Sequence, residues 1–151
     1  MKYEPFTKYY LNANINAEQC WKALSRVEEL QQWFHKEIQD FEAISGFETR
    51  FKTEVSGKEL THILKVIVAD KYNCLRLTLD FEEYKSFMNY SFFIFSDEKS
   101  TSIRFHFDNT AIFKLFRGEI TEDYDFEYAI PDWETIITKR LQNHLDQKEK
   151  I

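Results

Sequence analysis

Asp132-Trp133-Glu134-Thr135-Ile136-Ile137-Thr138-Lys139-Arg140-Leu141-Gln142-Asn143-His144-Leu145-Asp146-Gln147 decides the fold. Trp133, Ile136, Ile137, Leu141 and Leu145 fall on one helical stripe, flanked by Lys139, Arg140 and Gln142. Pro131 stands at the opening, and acids occupy the first turn, where the helix dipole favours negative charge. The helix is expected to run to about Gln147 and to fray over Lys148-Glu149-Lys150. A stripe of this length and apolarity has to be buried against another layer.

The rest of the chain supplies that layer. Thr7, Tyr9, Leu11, Ala13 and Ile15 alternate with Lys8, Tyr10, Asn12 and Asn14, a period of two that predicts a strand. Asn16 reads as a helix N-cap with Gln19 reaching back in a capping box, and Ile15 against Cys20 as the hydrophobic staple. Cys20, Ala23 and Leu24, beside Trp21, predict a short amphipathic helix. Ser25, with Glu28 three residues on, is expected to cap a second one carrying Leu30, Trp33 and Phe34. A polar stretch follows. Five strands then come in succession, near residues 47–55, 60–69, 75–81, 87–95 and 103–107, separated by short turns such as Ser56-Gly57-Lys58. Short connections mean antiparallel neighbours. The strands near 60–69 and 87–95 carry apolar residues on both faces and are expected to be covered on both sides.

Residues 109–130 read as an irregular excursion, with a helical turn near 111–116 and an extended edge segment carrying Tyr124, Phe126, Tyr128 and Ile130. The expected architecture is α+β: a curved antiparallel sheet of about six strands around a long C-terminal helix, with two short helices after the first strand. No repeats, linkers or low-complexity tracts interrupt it, so residues 1–151 are expected to form one domain.

Composition bounds the function. The chain is 43% apolar and 30% charged, a globular balance. A chain of this length buries roughly 70% of its unfolded surface, enough for one core. With 15 Phe, 8 Tyr and 3 Trp the aromatic share reaches 17%. Such rings pack as rigid plates, so they either fill the interior or leave a crevice in it. The net charge of −6 argues against nucleic acid and against anionic membrane surfaces. No stretch suits a signal peptide or a bilayer span, and Cys20 and Cys74 are isolated thiols, so a cytoplasmic, reducing location is expected.

The order of elements and certain residues together carry a family resemblance. Ile15-Asn16-Ala17 followed by Cys20-Trp21-Lys22-Ala23-Leu24, then Glu29-Leu30-Gln31-Gln32-Trp33-Phe34, Gly46-Phe47 before a strand, and Asp132-Trp133 opening the last helix resemble the family named after the activator of the Hsp90 ATPase, within the Bet v 1/START-like superfamily. The likeness spans about residues 6–147. It departs from the family at Asp108-Asn109-Thr110, where a Gly is usual, and in the length of the excursion. The resemblance implies a helix-grip fold with a cavity between sheet and helix. It does not imply an enzyme, because the superfamily holds carriers, cyclases and co-chaperones. Co-chaperones of the family carry a further N-terminal domain with an Asn- and Trp-rich motif. Neither is found in these residues, so Hsp90 activation is not expected.

Chemistry-bearing patterns are sparse. His35, His62, His106 and His144 fall in four elements without metal-ligand spacing, and no metal or cofactor is called for. No nucleophile motif or acid/base pair points to catalysis, which leaves a cyclase- or hydrolase-like enzyme as the third choice. Between Glu119 and Glu134 stand seven acids and no Lys or Arg. They suit a docking edge for a basic partner protein or a loose Ca²⁺ site, or a solvated edge whose charge blocks aggregation. The leading expectation is a non-enzymatic domain binding a small apolar or aromatic ligand. Trp33, Phe51, Phe105, Phe107, Trp133 and Ile137 would line the cavity, with Arg76, Tyr90 or His106 as polar contacts. A protein-interaction module is the alternative.

Overall fold

The computed structural model describes residues 6–55, 57–82, 84–97, 100–108 and 132–149. The expected edge segment and most of the acidic stretch, including Glu119, Glu122, Asp123, Asp125 and Glu127, lie outside them.

Strand β1 (Phe6–Ala13) leads into helices α1 (Ala17–Ser25) and α2 (Val27–Trp33). Strands β2 (Glu48–Val55), β3 (Lys58–Asp70), β4 (Cys74–Phe81), β5 (Tyr84–Ser96) and β6 (Thr101–Asp108) follow. The last element, α3 (133–148), is a single run whose middle, Ile136–Leu141, winds as a π-helix between α-helical ends. The six strands form one antiparallel sheet in the order β1-β6-β5-β4-β3-β2, so the first strand pairs with the last. Register shifts between Val66 and Val68, and between Asp80 and Phe81, bend the ladder.

The sheet curves around α3. Trp133, Ile136, Ile137, Leu141 and Leu145 are all buried, as the helical stripe requires. Facing them are alternate residues of every strand, among them Leu11, Leu64, Leu77, Phe92 and Phe105. Asp132 caps α3 by accepting from the Thr135 N–H, which satisfies a donor that the first turn leaves open. Gln142 Nε2 donates to the Asn12 carbonyl at 3.0 Å and fastens α3 to β1. Glu29 of α2 meets His144 Nε2 at 3.0 Å and Lys148 Nζ at 2.5 Å, fastening α3 to α2.

The capping box at α1 forms from both sides, between Asn16 and Gln19. The second cap does not form. Ser25 is the last residue of α1 and its hydroxyl donates to the Trp21 carbonyl, while Arg26 opens α2 without a side-chain cap. The stretch after α2 is less polar in space than in sequence, since Ile38 and Phe41 are buried. Coverage of β3 and β5 on both sides is also corrected: Ile67 and Phe95 are 47% and 52% exposed. Tyr72, in the β3–β4 turn, has φ +74°, an uncommon conformation for a bulky side chain. Its ring meets Trp21 edge-on. Among the described residues no helix is long and apolar enough to cross a membrane.

Candidate functional site

The space between sheet and α3 is built of rings. Trp133 projects from the first turn of α3 into a group of four, with centroids 4.9 Å from Tyr90, 5.2 Å from Phe105, 5.2 Å from Phe107 and 5.9 Å from Phe34. Period-two alternation brings Tyr90, Phe105 and Phe107 to the inner side of β5 and β6. Trp33 lies further in, edge-on to Phe92 at 6.1 Å. Its indole N–H donates to the Ala23 carbonyl at 2.7 Å, a buried bond that joins the end of α2 to α1. Burial pushes the Tyr90 phenol well above its ordinary range, so it stays a neutral hydroxyl.

A second group closes the β2–β3 end. Phe51 and His62, directly opposite on neighbouring strands, stack at 4.6 Å with planes 5° apart. His62 lies 4.8 Å from Phe81. His35, just after α2, sits 5.1 Å from Phe51 and 5.2 Å from His62. Thr53 Oγ1 and His62 Nε2 are hydrogen-bonded at 2.7 Å. Burial, with the Arg140 guanidinium as a lesser cause, pushes the His35 imidazole down to about 4. It is therefore neutral near pH 7, and its 3.9 Å approach to Glu37 is no ion pair there. Arg140 itself donates to the Phe34 carbonyl at 2.7 Å.

Two polar atoms in this interior stand out. Trp133 Nε1 and His35 Nε2 are buried without a hydrogen-bond partner among the described residues. Each such atom costs about 1–3 kcal/mol unless water or a ligand satisfies it. The Phe34 ring lies against both residues. A crevice bordered by Leu24, Leu30, Trp33, Phe34, Tyr90 and Phe92 has a volume of about 10 Å³, the size of one water. In this crevice the rings and the leucines leave room for no more than that.

Of the residues expected to line a cavity, Trp33, Phe51, Tyr90, Phe105, Phe107, Trp133 and Ile137 are all buried in the interior. Phe51 belongs to the histidine group and not to the Trp133 group. Arg76 and His106 are corrected. Both alternate with inward residues, Leu75 and Leu77 for one and Phe105 and Phe107 for the other, so they lie on the outer face. Two polar side chains that do face inward, His35 and His62, are 27 positions apart and carry no spacing signal. His62 shares the phase of Leu60, Leu64 and Val66, which marks it as inward; only tertiary contact brings His35 to it. No three metal-ligating side chains converge among the described residues. Cys20 is fully buried and its thiol is pushed up to about 12 by desolvation, so it is no nucleophile at neutral pH.

The family model described as "Activator of Hsp90 ATPase homolog 1-like protein" matches residues 14–146. No curated protein matches the sequence. Among solved structures, the Aha1 dimer from Colwellia psychrerythraea is similar at TM-score 0.59 and 16% identity, over 93% of this chain and 96% of that one. A START superfamily protein from Mycobacterium smegmatis is similar at TM-score 0.61 and 16% identity, over 95% and 98%. DynU16, from the dynemicin biosynthetic locus, is similar at TM-score 0.61 and 12% identity, over 94% of this chain but 47% of its own length. At these identities the likeness is one of fold.

Proposed function

Because this chain belongs to the Activator of Hsp90 ATPase homolog 1-like family and has a START-like helix-grip fold, we propose that it is a non-enzymatic binding domain for a small apolar or aromatic ligand. The observation that supports this most is the pair of polar atoms without a partner among the described residues, Trp133 Nε1 and His35 Nε2, within an apolar interior rich in rings. A flat molecule with a carbonyl or ether oxygen would accept from the indole N–H and stack on Phe34 and Phe105. Entry between Trp33, Phe34, Tyr90 and Phe92 requires those rings to part, since the crevice they border holds one water. The π-helical stretch Ile136–Leu141 is suited to that opening. It carries three buried side chains, and π-helical turns inside α-helices are rare and frequent at functional sites.

The test is a thermal-shift screen with native mass spectrometry against fatty acids, sterols and polycyclic aromatic ketones. A binder raises Tm in a dose-dependent way and shifts the indole Nε1–H resonance of Trp133. If no class raises Tm and that resonance never moves, the interior is a plain core and the reading is wrong.

A further inference from the structure

The outer face of the sheet divides into two unlike halves. On β2 and β3 every outward cation among the described side chains meets an acid: Lys52 and Glu59 at 3.1 Å, Lys65 and Glu48 at 3.4 Å, Arg50 with Glu82 at 3.5 Å and with Glu48 at 3.6 Å. Among the described side chains of β1, β6, β5 and β4 the outward cations are Lys8, Arg104 and Arg76, all exposed, and none has a carboxylate partner among the described residues. The strand registers set them in rows. Lys8 stands opposite His106, His106 opposite Ser91, and Ser91 opposite Arg76. In the next row Tyr10 stands opposite Arg104 and Arg104 opposite Phe93.

Large rings are left in water around these charges. Tyr10 is 64% exposed and Phe95 52%. The Arg104 guanidinium lies over both, 5.6 Å from the Tyr10 centroid and 5.1 Å from that of Phe95. His106 Nε2 is buried without a hydrogen-bond partner among the described residues, and burial first, then Lys8 and Arg104, lower its imidazole from the ordinary histidine range. The acids of this half, Asp108 and Asp80, sit toward one end, past the Lys8–Arg76 row. A protein of net charge −6 thus gathers unpaired cations and exposed aromatics on one surface. Isolated apolar residues on a surface are ordinary, but rings interleaved with unpaired guanidinium groups form a recognition surface.

We infer that the outer face of β1, β6, β5 and β4 docks an acidic, aromatic-bearing peptide segment of a partner protein, its carboxylates on Lys8, Arg104 and Arg76 and its rings against Tyr10 and Phe95. Guanidinium groups bind carboxylates through paired hydrogen bonds, and the Arg104 plane is already oriented by its two rings. A short acidic segment neutralises the patch alone. A long polyanion such as single-stranded nucleic acid would extend into the repulsive field of the remaining surface. This surface is separate from the interior, and its test is independent of ligand binding there.

The test is fluorescence anisotropy of the whole protein with a fluorescein-labelled dodecapeptide repeating Glu-Glu-Tyr. A Lys-Lys-Tyr repeat and a twelve-nucleotide oligothymidylate are the comparison probes. The acidic peptide is expected to bind, and to bind more weakly as salt is raised. Lys8→Glu and Arg104→Glu should each weaken it about tenfold. Lys52→Glu, on the paired half, should leave affinity unchanged. The double variant Lys8→Glu/Arg76→Glu carries the test should Arg104→Glu lower Tm enough to unfold the protein. No binding of the acidic peptide, equal binding of the basic one, tighter binding of the oligothymidylate, or affinity untouched by the charge reversals would each overturn the assignment.

Discussion

The two ends of the interior are made from the same kind of ring and differ in what titrates. Around Trp133 the partners are Phe34, Tyr90, Phe105 and Phe107, and the one ionisable group, Tyr90, is locked neutral by burial. Around His62 the partners are Phe51, Phe81 and His35, so imidazole replaces benzene in a similar stack. The first end contributes by apolar area and shape and is indifferent to pH. The second contributes similar area, and it does so fully only while His35 stays uncharged. An aromatic core can therefore contain a pH-sensitive region without any break in its packing.

The largest expected effect breaks the first end. Trp133→Ala removes the ring on which four others close and should cost about 3–5 kcal/mol in urea unfolding, more than any single change at the histidine end. Next comes pH, which acts on the second end. The His35 pKa in the folded state, about 4, lies below its ordinary value near 6.5, so the unfolded chain binds the proton more readily. Stability from this group is complete above about pH 6.5 and is lost as pH falls toward 4, by up to about 3 kcal/mol. His35→Phe should remove most of that slope and Trp133→Phe none of it; equal slopes in both variants would mean that the contrast between the ends is false.

Smaller effects sharpen the boundary between them. Trp33→Phe keeps a ring but deletes the bond to the Ala23 carbonyl, leaving a buried acceptor, and should cost about 1–3 kcal/mol at every pH. Arg140→Gln removes a like charge from beside His35. The His35 titration followed by NMR should move upward by a fraction of a unit and stay below the ordinary histidine value, because burial is the larger cause. A return to the ordinary value would make Arg140, and not burial, the dominant cause.

Much of the architecture was legible because it rests on short-range periodicity. The alternation of Leu75, Leu77 and Leu79 with Arg76 and Thr78 reports which side is buried, and the structure agrees. The same alternation speaks against Arg76 and His106 as interior contacts, since each sits on the opposite phase from its buried neighbours. Their choice as polar contacts followed residue type over phase. Ser25 misled for a local reason: a serine at a helix boundary can cap the next helix or close the previous one, and backbone geometry decides. The apolar outer residues Ile67 and Phe95 read as covered, but about half of each stays exposed. The cation-bearing face was invisible as a run, because Lys8, Arg76 and Arg104 come from three strands that are distant in sequence.

By itself the sequence determined the strand phases, the capped start of α1, the buried stripe of α3 and the family, all of which depend on residues within a few positions of each other or on element order. Tertiary structure alone decided that His35 meets His62, that Trp133 is left without an acceptor among the described residues, that the crevice beside Trp33 and Phe34 has room for one water, and that three cations gather on one face. The physical reason is range. Hydrophobic periodicity is a local property of the chain, whereas desolvation of an imidazole and the pairing of a surface charge depend on neighbours that strand register and helix docking bring together.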